Sequence, residues 1–448
     1  MQFHVSNIGK ISDASIALDG LTVIAGENDR GKSTLGKALF AAINPGYDRT
    51  ERMNQWVRNK LRRFLSFNIQ RWKPAENRTY LAHRQRGIAI EALTDAIIAV
   101  LSDKNGIDEP DTFVQRIQEE LPESAVGKEA LSALSAISVH KEELFKNSLE
   151  ITNVTLEEFL VDHATQTFSS MFADAVVTET EPAQDIAKAW ITDKTRTVLR
   201  VRLNHAACVE YTDSFDEQKS AILIDNPSML EYVSDPAYYY TAGTAEGREA
   251  SNIDQIRRRN KREQIVVAPE AHDIIEFLNG ITPVVVDNDD DSSGSKLRDP
   301  RLGNQIPVAN GSMGTKSVVL LKTLLSDGTL QPGTFLILDE PEIHLHPQWQ
   351  LKYAEALVLL MKKMNVHVLV TTHSPYFLKA LRVYAQKYSV ADKHHVYSAE
   401  GHKNGTVSFY EVKGQEKWEE LYETMISPFD DIEGTEFRLN EGLEDAIE

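Results

Sequence analysis

Only one cysteine, Cys208, occurs in the 448 residues. A lone thiol can close no intramolecular disulfide and build no cysteine-based zinc site. Apolar runs are short: stretches such as ALVLLM at 356–361 fall far below the roughly 18–20 residues of a membrane span. The opening MQFHVSNIGK lacks the apolar core and small-residue cleavage site of a secretory signal, so a cytoplasmic protein without a membrane partner is expected. No heptad pattern persists beyond two or three turns, which argues against a long coiled coil. Positive charge is scarce too. The 48 Lys and Arg face 67 Asp and Glu, and the net −19 excludes a surface coated all over with nucleic acid.

What is present is an ordinary globular composition, 42% hydrophobic and 26% charged, in a chain long enough for two or three lobes. The charge is unevenly placed. Between Arg52 and Arg86 stand 10 Lys or Arg against the single acid Glu76, with Trp56, Phe64, Phe67, Trp72 and Tyr80 interleaved. A second basic knot, RRRNKR, covers 257–262, and the stretch from Glu416 to Glu448 is strongly acidic. The segment 52–86 suits phosphate contacts plus base stacking; the blander alternative is a solvated helix face whose aromatics enter the core.

Hydrophobic periodicity orders the chain. FHVSNIGKIS, ASIALDG and LTVIAGEN read as strands, followed by a helix from about Ser33 to Phe40 that Pro45-Gly46 interrupts. From about Ile88 to Lys188 the pattern is helical, broken into short helices by Pro110 and Pro122. Strands return at 196–203, 207–212 and 221–225, and a helix is expected at 269–279. DNDDDSSGS at 287–295 has acids but not the spacing of a calcium loop, since Ser292 and Arg298 stand where Gly and Glu belong. TFLIL, a helix at 347–364, HVLVTT and a helix at 375–386 alternate as in a parallel sheet covered on both faces. Two further strands, HHVYSA and GTVSFYEV, follow. The expected division is 1–75 and 271–428 as two lobes of one head, 76–192 a helical insertion, 193–270 a mixed arm, and 429–448 an acidic tail.

Three motifs carry chemistry. In GENDRGKST (26–34), Gly26 and Gly31 permit a tight turn whose backbone N–H groups face phosphates, Lys32 neutralises β- and γ-phosphate charge, and Ser33 offers a hydroxyl to Mg²⁺. Glu27, Asn28, Asp29, Arg30 and Thr34 complete the loop. FLILDEPE (335–342) delivers Asp339 to a sheet edge, where it can hold Mg²⁺, and puts Glu340 one residue on as the base for an attacking water. VTTHSP (370–375) ends a third apolar strand in His373, placed to hydrogen-bond a γ-phosphate.

GENDRGKST, DEPEIHLHP and TTHSP together resemble the ABC-type ATPase clan, within it the branch of SMC proteins, RecF, the OLD nucleases and the ATPase subunits of the Septu and PARIS anti-phage systems. The resemblance covers roughly 1–45 and 300–380. It implies an α/β head with a mainly parallel sheet plus antiparallel strands, interrupted by a helical insertion, and ATP and Mg²⁺ as cofactors. It also implies a signature loop donated by a second subunit. NGSMGTKS (310–317) is the candidate, with Ser312 and Gly314 at the Ser-x-Gly positions. The active unit is then a head-to-tail dimer or larger homo-oligomer, and the role a sensor ATPase controlling a separate nuclease or toxin. A RecF-like repair ATPase, contacting nucleic acid through 52–86 and 257–262, is the alternative. An OLD-type nuclease is disfavoured because too few residues follow Arg382 for its nuclease domain. His344 and His346 stand at a spacing that could suit a metal pair; the resemblance instead implies subunit contacts for that segment.

Overall fold

The computed structural model describes residues 1–72, 80–103, 107–173, 176, 186–205, 207–234, 267–287, 295–303 and 305–440. In chain order the strands β1 (Gln2–Ile8), β2 (Ile11–Ala17) and β3 (Leu21–Ala25) precede helix α1 (Lys32–Ile43). Six helices follow: α2 (Arg49–Trp72), α3 (Tyr80–Ser102), α4 (Pro110–Glu120), α5 (Ala125–Ile137), α6 (Lys141–Thr152) and α7 (Leu156–Phe172). Then come β4 (Ala187–Asp193), β5 (Arg196–Asn204), β6 (Ala207–Asp213), β7 (Ala221–Ile224), α8 (Met229–Ser234) and α9 (Pro269–Asn279). Short strands β8 (Val285–Asp287), β9 (Lys296–Arg298) and β10 (Gln305–Pro307) form a small antiparallel sheet. The remainder is α10 (Met313–Ser326), β11 (Phe335–Asp339), α11 (Pro347–Met364), β12 (His367–Thr372), α12 (Pro375–Lys387), β13 (His394–Gly401), β14 (Val407–Glu411) and α13 (Gly414–Asn440).

Two compact units result, one of Met1–Tyr47 with Val161–Glu448, the other of Asp48–Leu160. The first is built on an 11-stranded sheet ordered β6-β5-β4-β1-β2-β14-β13-β3-β12-β11-β7. From β13 to β7 every pair is parallel. From β6 to β2 every pair is antiparallel. β14 joins the halves, antiparallel to β13 and parallel to β2. LTVIA of β3 and AILI of β7 are buried throughout, as strands covered on both faces must be. In the antiparallel half burial alternates instead: Phe3 and Val5 are fully buried while His4 and Ser6 are not.

The parallel half packs against α9, α10, α11 and α12 in one core that includes Val23, Leu336, Val370, Leu320, Leu357 and Phe377. Within the second unit a separate core gathers Leu61, Leu65, Leu93, Ile97, Phe113, Leu134 and Leu144. Two expectations need correction, and one stretch for which no element was expected proves helical. The helical pattern read up to Lys188 ends at Phe172, and 187–193 is a strand, because its alternation of Ala187, Ala189 and Ile191 is that of a one-sided sheet. The helices expected from Ile88 on are not all short, since α3, which enters that range, runs 23 residues. The acidic C-terminal stretch is largely helix α13, which continues through Pro428. That proline cannot donate to the Thr424 carbonyl, and the Ser427 hydroxyl donates to it instead at 3.1 Å.

Candidate functional site

β3, β12 and β11 are adjacent and parallel, so the segments leaving their C-terminal ends emerge along one edge of the sheet. These are GENDRGKST, the His373 segment and Asp339-Glu340. The loop after β3 is shaped by left-handed backbone at Asp29 (φ 61°) and Gly31 (φ 73°) and by Gly26 at φ 138°. Asp tolerates the left-handed region better than most residues, which accounts for an acid at this turn. Gly31 also has no room to spare, because a Cβ there would stand 3.2 Å from Val407. Lys10 donates to Asp29 at 2.5 Å and holds its carboxyl below the usual range. Arg30 turns onto Glu27 at 2.7 Å and lies against Gly401.

Lys32, the first residue of α1, is buried and donates to the carbonyls of Gly26 at 2.9 Å and Glu27 at 2.6 Å. Its ammonium also lies 3.9 Å from Glu340. Burial pulls its pKa down, and Glu340 and Asp339 oppose that shift. Ser33 donates its hydroxyl to Asp339 Oδ1 at 2.9 Å. Glu340 sits at φ 48°, strained for a glutamate, and is pinned there by its N–H on Thr371 O at 3.1 Å. His373 Nδ1 stands 3.1 Å from Glu340 Oε1. Lys32, Ser33, Asp339, Glu340 and His373 are therefore one connected cluster.

The signature candidate occupies another turn. Ser312 caps α10, its Oγ accepting from the Thr315 N–H at 3.2 Å. A Cβ on Gly314 would stand 2.5 Å from the His344 carbonyl, so glycine is required here by close packing against the turn after β11. His346 caps α11, accepting from Gln348 N at 3.3 Å.

Two groups escaped sequence reasoning. Thr371, opposite Asp339 in register, donates to its Oδ1 at 2.5 Å. Glu342 is 2% exposed, accepts from Thr372, and leaves Oε2 without a partner; burial pushes its pKa up to about 7. Thr371 was visible as a polar residue near the end of an apolar strand, whereas Glu342 lies three residues past the end of β11 and carried no such signal. For the basic segment 52–86, Arg58 pairs with Glu91 and Asp95, and Arg62 with Glu91 at 3.4 Å. Phe67 is 65% exposed, whereas Phe64 packs on the core of its unit. The side chains of 70–86 and the knot at 257–262 lie outside the described residues.

A parallel sheet with a phosphate-type loop after one strand and an Asp-Glu pair at the end of the next strand but one defines a P-loop ATPase. The chain belongs to the AAA ATPase domain family (AAA_15), which matches residues 1–378. No curated protein matches. Among solved structures the chain is similar to an Smc head bound to the C-winged helix domain of ScpA, at 10% identity over 93% of this chain and 98% of that one, TM-score 0.41. It is also similar to the SMC head domain from Thermotoga maritima (12% identity, 92% and 98% covered, TM-score 0.35). A third is the Smc head with a coiled coil and joint from Pyrococcus yayanosii (12%, 94% and 98%, TM-score 0.36).

Proposed function

We propose that this ATPase binds ATP in the loop 26–34 and hydrolyses it to switch an interface between two copies of the chain. The observation that carries the reading is the cluster at the sheet edge, with Lys32, Ser33 and His373 all within 4 Å of Asp339 or Glu340. Lys32 exchanges the carbonyls of Gly26 and Glu27 for phosphate oxygens. The N–H groups of Gly26, Glu27, Asn28, Asp29, Arg30, Gly31 and Thr34 surround the phosphates. Glu340 accepts a proton from the attacking water, and His373 orients that carboxylate and meets the γ-phosphate. Ser33 Oγ and Asp339 Oδ1, two oxygens already 2.9 Å apart beside the loop, fit a magnesium ion. When bound, that ion would neutralise charge developing on the transferred phosphoryl group.

Ser312 and Gly314 are the residues we assign to the partner subunit's nucleotide, closing a head-to-tail dimer. The exposed Ser312 side chain at the start of α10 supports this, and the resemblance of the motifs to SMC-type heads motivates it. For the biological role we favour a cytoplasmic sensor in anti-phage defence that controls a separately encoded nuclease or toxin. The surface of α13 suits a protein partner, being acidic with Phe429, Ile432, Phe437 and Leu439 each more than half exposed. A repair role through 52–86 is less favoured, because Arg58 and Arg62 are already occupied by acids.

Glu340→Gln tests the scheme. It is expected to bind ATP normally, to lose about 10²–10³-fold in turnover, and to accumulate the dimer when ATP is added. Mass photometry that finds only monomer with ATP present would reject the interface switch, and unchanged turnover would reject Glu340 as the base.

A further inference from the structure

Among the described residues the antiparallel half of the large sheet buries one face and leaves the other part-exposed. On β4, Ala187, Ala189 and Ile191 are fully buried while Lys188, Trp190 and Thr192 alternate with them toward the open side. Register then builds a block across strands. Lys188 lies opposite Arg202 and Trp190 opposite Arg200 on β5, and His4 of β1 lies opposite Trp190 on its other flank. The His4 and Trp190 rings stack at 5.0 Å with an interplanar angle of 11°. Burial lowers the pKa of His4, against the opposing charge of Asp13.

Among the described residues Lys188, Trp190, Arg200 and Arg202 line a cleft of about 360 Å³. Among the described residues two acids neighbour the block: Glu210, which accepts from Arg202 Nη1 at 2.9 Å and stands 3.8 Å from Arg200, and Asp13, in the cross-strand row of Lys188, whose charge reaches His4. Three cations still exceed these two carboxylates, and a ladder of cross-strand ion pairs stabilises a sheet only when charges balance. Arg202 Nε is buried and has no hydrogen-bond partner among the described residues. A surplus of cations around an aromatic wall, on a chain of net −19, is a local attractor for an anion with a planar group.

We propose that this cleft binds single-stranded nucleic acid. One base seats against the Trp190–His4 stack, and flanking phosphates lie on Lys188, Arg200 and Arg202. The volume is that of a small-molecule pocket, enough for an unstacked base and far too narrow for a duplex. The site's residues are other than those of the segments 52–86 and 257–262, its strands lie several places along the sheet from those that carry the ATPase cluster, and the proposal does not depend on the reading of that cluster.

The test is fluorescence anisotropy of labelled oligothymidylate and oligouridylate, about 15 nucleotides long, with the full chain at about 50 mM salt. Wild type is expected to bind, with affinity falling as salt rises. Lys188→Glu with Arg200→Glu should weaken binding more than about tenfold and flatten the salt slope by roughly 0.7 for each phosphate that is no longer neutralised. Trp190→Ala should weaken it about tenfold with the slope unchanged, and Trp190→Phe should restore most of the loss. Should the charge-reversed pair fail to fold, Lys188→Ala with Arg200→Ala reads the same contrast with a smaller shift. Nucleic-acid-free ATP turnover equal to wild type certifies the fold of each variant. The proposal is overturned by absent binding, by variants within twofold of wild type, or by a duplex or a free mononucleotide competing as well as the single strand.

Discussion

The two halves of the large sheet put chemistry in different places. In the parallel half, β3 and β7 bury every residue, and β11 exposes only part of Asp339 at its end. A strand covered on both faces can offer functional groups only where it stops. Lys32, Asp339, Glu340 and His373 accordingly follow strand ends along one edge. In the antiparallel half only alternate residues are covered, and the polar set runs along the strands as a surface: His4 and Ser6, Lys188 and Trp190, Arg200 and Arg202. Burial on two sides builds a point-like site; burial on one side builds a platform.

The comparison can be broken most directly at Lys32. Lys32→Ala should abolish ATP binding, measured by calorimetry at concentrations that saturate wild type; normal binding would remove the edge cluster from the nucleotide site. A second contrast is in stability. Leu338, fully buried in β11, should cost about 2–5 kcal/mol as Leu338→Ala. Lys188→Ala on the open face of β4 should stay within about 0.5 kcal/mol. Equal losses in urea melts would deny the asymmetry of the two halves.

Glu342 sharpens the same point by pH. Its carboxyl is pushed by burial from an ordinary 4.5 up to about 7, so the folded state holds a proton that the unfolded chain releases. The stability this confers is fully present below about pH 4.5 and is lost as pH rises through 7. Glu342→Gln should flatten that dependence and gain roughly 3 kcal/mol at pH 8, an upper bound read from thermal midpoints across pH. A wild-type profile already flat between 4.5 and 7 would contradict it. The smallest effect is expected at Arg30, whose ion pair with Glu27 is solvent-exposed. Arg30→Ser should leave turnover within about twofold and stability within about 1 kcal/mol. A large loss of turnover would bring Arg30 into the phosphate site.

Legibility followed locality. The loop 26–34 could be read because its glycines, lysine and serine act at fixed spacing within nine residues, between a strand and a helix that also announce themselves. β11 and β12 could be read because each is an uninterrupted apolar run ending in polar residues, too short for a buried helix and too apolar for a surface loop. β4 was hidden by short length and an alternation of Ala with Lys and Trp that also fits a helix over a few residues. The helical course of 414–440 was obscured by Pro428 and by the density of acids. Gly314 illustrates a different limit. Its glycine could be assigned from a motif, but the close approach of the His344 carbonyl, 30 residues on, is invisible before the chain folds.

Local chemistry was therefore enough to specify a P-loop ATPase with a parallel core, since turn geometry, strand burial and phosphate-binding donors are encoded within short windows. Which strands became neighbours was a matter of the whole packed chain. β4 joins β1 across more than 180 residues, and β14 ties the two halves together from beyond position 400. Pairing at such separations is selected by the collective burial of both sheet faces. Through it Thr371 meets Asp339, Glu342 loses its water, and Lys188, Trp190, Arg200 and Arg202 come to share one cleft with the His4 stack behind it.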